Sequence, residues 1–449
     1  MTPTATPASR TPELQRQLGL FDAACIVVGT TIGVGIFLVP GSIARALPSE
    51  PLILAIWVIT GLISFFGALG YAELGAMIPE SGGQYVYVRE AYGPLTAFLC
   101  GWVSFLIVQS GSIAAVSVGF GIYLSYVIPR VPGVVWWAPV AVIAFFTLVN
   151  YRGVRSGART QNLFTALKTG GLVVLIASAF VHIGAPPAAA PIRASLSLNG
   201  VVIAMLGCFV AYDGWQYVAF VAGEIRDPRR NIPLSLGLGT GLVVLLYFLA
   251  NVAYFRVLPL AGIAATEHVA ATAAEHTLGP LGATLIALTI MFSSAGAANG
   301  AILTSPRLYY AQARDGLFFH RMAEVHPRFG APSFAILVQG VWCSILAVSG
   351  SYETIVSYAL FAMWLFHGMT VFGVIVLRRR DPERLRPYRM WGYPLAPLLF
   401  ALFAGWLVVN TLVSRPGPSL AGTAIIAAGV PIYYIWKKRG SRENLPESR

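Results

Sequence analysis

Two apolar runs in this chain are interrupted by residues that could bind a charged small molecule. The first, within 18–47, reads GTTIGVGI at 29–36; the second, within 199–224, reads AYDGW at 211–215. Glycine tolerates unwound backbone. A helix broken there leaves free carbonyls on the half before the break. The half after it carries free N–H groups and a partial positive charge. Such N–H groups suit a carboxylate, and the carbonyls suit an ammonium, so the first break would hold both ends of a zwitterion. The second break, at Tyr212, Asp213 and Gly214, adds carbonyls and one ionisable side chain. An α-amino acid is the simplest ligand with that charge pair. The plainer reading of the glycines is close helix packing; the companion break carrying Asp213 favours a site.

Two ionisable residues, Asp213 and Lys168, are predicted to lie deep in apolar spans, Lys168 within TALKTG at 165–170. A charge at the bilayer centre costs at least ~2.5–3.5 kcal/mol, which makes each a functional candidate. Lys168 could instead snorkel to the interface. Asp213 could form a structural ion pair, with Lys168 itself among the partners, or be a protonated carboxyl.

The elements that position these residues follow from composition. The chain has 449 residues, 57% hydrophobic and 11% charged, with a mean hydropathy of +0.72. Soluble domains carry about 25% charged residues, so this is an all-α integral membrane protein. The net charge of +12 sits in short loops, which indicates topology and not nucleic acid. Twelve spans of about 20 residues each are predicted, at 18–47, 51–78, 94–128, 134–151, 162–184, 199–224, 233–257, 281–312, 333–349, 353–377, 394–413 and 420–436. With the N-terminus inside, the cytoplasmic segments hold 23 of the 30 basic residues and the opposite face holds five, at Arg45, Arg130, Arg193, Arg256 and Arg415. That split places both termini in the cytoplasm. Residues 1–17 are expected to be a retained cytoplasmic tail and 437–449 a second one.

The broken helices open two blocks of five spans, 18–184 and 199–377, followed by a final pair at 394–436. An odd number of spans per block inverts the second block relative to the first, the inverted-repeat logic of many secondary transporters. The four cysteines (Cys25, Cys100, Cys208, Cys343) lie inside spans. No glycosylation acceptor is present, which fits a bacterial plasma membrane. No nucleophile–base pattern, phosphate-binding glycine loop or metal-ligand spacing occurs, so no enzyme, cofactor or metal is expected. Residues 81–93 are read as an interfacial helix or re-entrant piece. Residues 227–233 are read as a stiff turn or proline-capped loop, and 261–279 as an external loop that could act as a lid, with His268 and His276 solvated. The basic run 378–389 is expected to face anionic headgroups.

The motifs GTTIGVGIF (29–37), GYAEL (70–74), PESGGQY (79–85), AYDGW (211–215), RNIP (230–233), AANG (297–300) and RDG (314–316) occur in order along the span map. With them the chain resembles the amino acid–polyamine–organocation superfamily, and within it the L-type amino acid transporter branch. The resemblance implies a five-plus-five inverted-repeat transporter of α-amino acids, a sodium-independent exchanger working by alternating access. It implies that backbone at Gly33, Val34 and Gly35 holds the carboxylate, and that carbonyls near Thr31, Ile32 and Val210, close to Ala211 and Tyr212, hold the amine. Trp364 would shape the side-chain pocket. Lys168 would stand where sodium-dependent relatives bind sodium, bracing the first break against the eighth helix, and Tyr254 is a further carry-over. Val34 replaces a frequent serine. The loop 128–133 lacks the cysteine that links animal members to a glycoprotein, so no disulfide-linked heavy subunit is expected. Asp213 replaces a small residue and is found in members handling cationic substrates. That leaves proton-coupled transport, or transport of cationic amino acids or polyamines, as the alternative, with a membrane amino acid sensor more remote.

Overall fold

The computed structural model describes residues 13–182, 184, 196–350 and 352–443. Arg10 and Arg193 of the charge balance lie outside these residues, as do most of the N-terminal tail and the end of the C-terminal one. Among the described residues the chain is helical, with a single β-bridge between Leu18 and Ile225. The first apolar run is two helices, α1 (Leu20–Thr31) and α2 (Gly35–Ala46). Next come α3 (Glu50–Met77) and the short α4 (Gln84–Tyr92). A long segment combines α5 (Pro94–Val103), a π-helical turn and α6 (Gln109–Val127). It is followed by α7 (Val134–Tyr151) and α8 (Val154–Val181). The second broken run comprises α9 (Leu198–Tyr212) and the one-turn α10 (Tyr217–Phe220). The chain continues through α11 (Pro228–Val257), α12 (Leu260–Ala265), α13 (Val269–Leu278), α14 (Pro280–Thr304) and α15 (Pro306–Arg314). It ends with α16 (Ser333–Val348), α17 (Tyr352–Arg380), α18 (Leu395–Ser414) and α19 (Pro416–Glu443).

Ten helical stretches, counting Leu20–Ala46 as one, are long and apolar enough to cross a bilayer. The apolar helices α9 and α16 are shorter. The 15 residues of α9 rise about 22 Å, less than the ~30 Å of hydrocarbon, because the second break ends the helix early. Large apolar side chains on the outer faces of α3, α7, α11 and α18, such as Leu62, Phe145, Leu238 and Leu402, are exposed. A water-facing surface does not carry so much apolar area; a lipid-facing one does. The interior is built by α1, which packs on α8, α11 and α14, and by the pairs α3–α11, α6–α14 and α7–α16.

Several expected loops are helical. Residues 228–233 are the first turns of α11, not a stiff turn: Pro228 sits at the helix start, where its fixed φ and missing N–H cost nothing. Residues 261–279 form most of α12 and α13, and Val269, Ala270, Ala273 and Ala274 are buried, so this segment is packed instead of forming a free lid. His268 lies edge-on to Tyr123 and Tyr126. The basic run is partly internal. Arg378 pairs with Glu73 at 2.6 Å, Arg384 with Glu90 at 3.0 Å, and Arg386 bonds the Leu377 and Asp381 carbonyls.

Lys168 is buried and Asp213 partly so, and further ionisable residues are buried with them. Glu73, Glu224, Arg307 and His367 are all at most 1% exposed. Arg307 grips Glu224 at 2.6 Å and 3.1 Å, the paired geometry that a charge deep in protein requires. Nearby, the Glu224 carbonyl accepts from the Gln17 and Leu18 N–H groups. On α4, Arg89 reaches Asp315 at 2.9 Å and Glu80 at 3.1 Å, and Tyr85 donates to Asp315 at 2.8 Å. The PESGGQY and RDG motifs therefore join one face of the first block to the second.

Candidate functional site

The two breaks lie against each other. Helix α1 ends because Ile32 turns extended (φ −73°, ψ 90°), and α9 ends because Asp213 does (φ −70°, ψ 145°). Gly214 has φ +127°, and a Cβ there would come within 2.5 Å of the Thr30 carbonyl oxygen. Thr30 Oγ1 lies 2.7 Å from the Gly214 carbonyl. A Cβ on Gly35 would come within 2.7 Å of Ala211 Cα, so this glycine permits backbone contact between the breaks. Gly33 differs: a Cβ there would meet nothing within 4 Å. Its missing side chain leaves open space.

That space belongs to a cavity of about 310 Å³, within the range of small-molecule sites. The two breaks line it with Thr30, Thr31, Gly33, Val34 and Gly35 and with Val210, Ala211, Asp213 and Gly214. Ser112 and Val116 of α6, Ala297 and Ala301 of α14, and Ala359, Leu360 and Met363 of α17 form the walls, with Tyr217 of α10 beside Asp213. The first N–H groups of α2 have no intrahelical acceptor, and the last carbonyls of α1 and α9 have no intrahelical donor. Positive and negative helix ends thus meet at one cavity.

Lys168 is fully buried. Its Nζ donates to the carbonyls of Gly29 (2.7 Å), Ile32 (2.8 Å) and Ser293 (2.8 Å). All three ammonium donors are used, and they tie the end of α1 to α14. Ser293 Oγ lies 2.9 Å and 3.0 Å from the Ile32 and Gly33 carbonyls. Lys168 neither snorkels nor pairs with Asp213. Asp213 Oδ1 instead lies 3.2 Å from Gln216 Nε2 and 3.4 Å from His367 Nε2.

Of the residues singled out from sequence, Thr31, Gly33, Val34, Gly35, Val210, Ala211 and Asp213 line the cavity. Ile32 is buried, its carbonyl taken by Lys168 and Ser293. Tyr212 is turned away and reaches the Trp57 carbonyl at 3.2 Å. Trp364 is not among the lining residues; it packs edge-on to Phe209 at 5.2 Å. Tyr254 bonds the carbonyl of Ile36, the second residue of α2, at 3.2 Å.

Three residues at the site were missed. The Tyr247 hydroxyl is 3.1 Å from both the Thr31 and Ala211 carbonyls, joining the breaks. Its spacing of seven from Tyr254 puts the two on one helix face, which was a readable signal. His367, an ionisable residue in a span, was also readable. Ser293 carried no sequence signal that separates it from a packing serine.

A family model described as amino acid permease matches residues 18–436. The b(0,+)-type amino acid transporter 1 of Homo sapiens is 34% identical over 437 residues, covering 95% of this chain and 89% of the relative. Its Mus musculus counterpart is 33% identical over 454 residues, covering 96% and 92%. The large neutral amino acids transporter small subunit 2 of Homo sapiens is 33% identical over 434 residues, covering 94% and 80%.

Proposed function

The chain belongs to the amino acid permease family, with L-type transporters and not enzymes as its relatives, and on that premise we propose that it is a sodium-independent exchanger of α-amino acids. The observation that carries this reading is the cavity in which the start of α2 faces the ends of α1 and α9. The α-carboxylate binds the N–H groups at Val34 and Gly35, beside Gly33, whose own N–H donates to the Thr31 carbonyl at 2.8 Å. The α-ammonium lies at the carbonyl ends of α1 and α9, Val210 included.

Lys168 carries the claim of sodium independence. Its ammonium already saturates three carbonyls between α1 and α14, where a sodium ion would otherwise supply the positive charge. Transport proceeds by alternating access in a plasma membrane, with both termini cytoplasmic. Five-plus-five inverted symmetry over twelve spans supplies the two states. The pairs α3–α11, α6–α14 and α7–α16, each joining helices of equal rank in the two blocks, support it. No disulfide-linked subunit is expected, since all four cysteines are buried within helices of this chain.

The presence of Asp213 on the cavity wall favours a second specificity within this reading, in which its carboxylate pairs with a lysine or arginine side chain. Competition against a labelled amino acid in proteoliposomes tests the backbone recognition. Leucine and alanine displace the label, whereas leucine's decarboxylated amine and N-acetyl-leucine do not. Equal displacement by the two blocked compounds contradicts the assignment. Replacing Asp213→Asn is expected to reduce lysine and arginine uptake selectively.

A further inference from the structure

His367 sits in α17 behind the cavity wall, 1% exposed, and its hydrogen bonds define where its proton lies. Thr370 Oγ1 donates to the Phe366 carbonyl at 2.6 Å, so towards Gln84 it can only accept. Gln84 Nε2 is 3.3 Å from Thr370 Oγ1 and 3.0 Å from His367 Nδ1. Its two amide hydrogens therefore go to those two atoms. His367 Nδ1 is an acceptor, and the neutral ring carries its proton on Nε2. That nitrogen is buried without a hydrogen-bond partner of ordinary geometry. The acceptor it faces is Asp213 Oδ1, at 3.4 Å.

A buried donor with no hydrogen bond, 3.4 Å from the carboxylate that lines the cavity, has a consequence for selectivity. We propose that His367 is a specificity-determining residue that sets the charge Asp213 presents to the substrate side chain. This rests on the exchanger reading above. With a neutral ring, Asp213 is the net negative charge of the site and accepts a lysine or arginine side chain. With a doubly protonated ring, the Gln84 amide turns to accept from Nδ1–H, and the Thr370 hydroxyl swings from the Phe366 carbonyl to donate to the same oxygen. His367 and Asp213 then form a neutral pair, and uncharged side chains are favoured. Histidine is the side chain that ordinarily changes charge between about pH 5 and 8. Among the described residues, the other ionisable groups facing this pair are the phenols of Tyr71 on α3, whose ring is 6.3 Å from His367, and of Tyr217, which lines the cavity. Gln84 and Trp215 are neutral. Lysine keeps its side-chain charge throughout this pH range, so the pair alone changes.

The test is the ratio of lysine to leucine competition in wild-type proteoliposomes at pH 8.0 and 5.5. General effects of pH on turnover cancel in the ratio. We expect it to fall by roughly tenfold on acidification, as for a close charge pair. His367→Gln and Asp213→Asn are both expected to give a ratio independent of pH, with folding checked by monodisperse elution in detergent. A constant wild-type ratio, or a His367→Gln variant that keeps the wild-type profile, overturns the proposal while leaving exchange itself intact. Failure of leucine to drive any exchange overturns the transporter reading instead.

Discussion

Lys168 is the residue on which the most converges. An ammonium with three carbonyl partners and no carboxylate holds the end of α1 against α14 through charge and directed hydrogen bonds. Removing it leaves buried carbonyls unsatisfied, at about 1–3 kcal/mol each. We expect Lys168→Ala to reduce exchange at least tenfold, measured as initial uptake into preloaded proteoliposomes. The two glycines of the first break separate by their surroundings. Gly35→Ala should lower the thermal midpoint, since its Cβ meets Ala211, an overpacking of about 1–3 kcal/mol. Gly33→Ala should leave that midpoint near wild type and weaken substrate binding, because its Cβ enters the open cavity. Thermal shift with and without a saturating amino acid distinguishes the two. At this scale the sequence was readable where chemistry is rare: a lysine or aspartate inside a span stands out. It was not readable where the functional atom is a backbone carbonyl or an aromatic hydroxyl, as with Tyr247. A tyrosine on an apolar helix looks the same whether it joins two breaks or fills a core.

The elements show why breaks and closures are found together. The interrupted segments supply the cavity, and the short α4 and α15 seal one face through Arg89, Asp315 and Tyr85. Beneath them, Arg307 and Glu224 are wholly buried. Glu224→Ala would strand the guanidinium and is expected to cost about 3–5 kcal/mol, visible as loss of folded protein in detergent. The double change of Glu224→Gln with Arg307→Met should recover much of it. If the single variant is as stable as wild type, the pair is not structural. Apolar segments were readable, because hydrocarbon imposes length directly, but the helices run past them: α8 begins at Val154, eight residues before the expected start. Helices at 228–233 and 261–279 were not readable. Prolines at a helix start look like turn residues, and alanine-rich amphipathic turns look like loops until the surface they pack on is known. The basic run at 378–389 is internal in part, which was not readable for the same reason: the partners Glu73 and Glu90 lie some 300 residues away in sequence.

Across the whole molecule, the reading is of two blocks that rock about a shared site. The lipid-facing surfaces, the two breaks and the pairing of equal-ranked helices agree with it, and the family relationship extends over residues 18–436. The charge split predicts topology: a cysteine introduced at Arg152→Cys or Arg229→Cys in a cysteine-free background should react with an impermeant thiol reagent only from the cytoplasmic side. Counterflow tests exchange without sodium. Proteoliposomes loaded with unlabelled leucine are diluted into labelled leucine, with choline replacing sodium on both sides. Rapid labelled uptake is expected, dependent on internal amino acid and unchanged by adding sodium. Uptake that appears only with a sodium gradient, and is indifferent to what the vesicles contain, would contradict sodium-independent exchange.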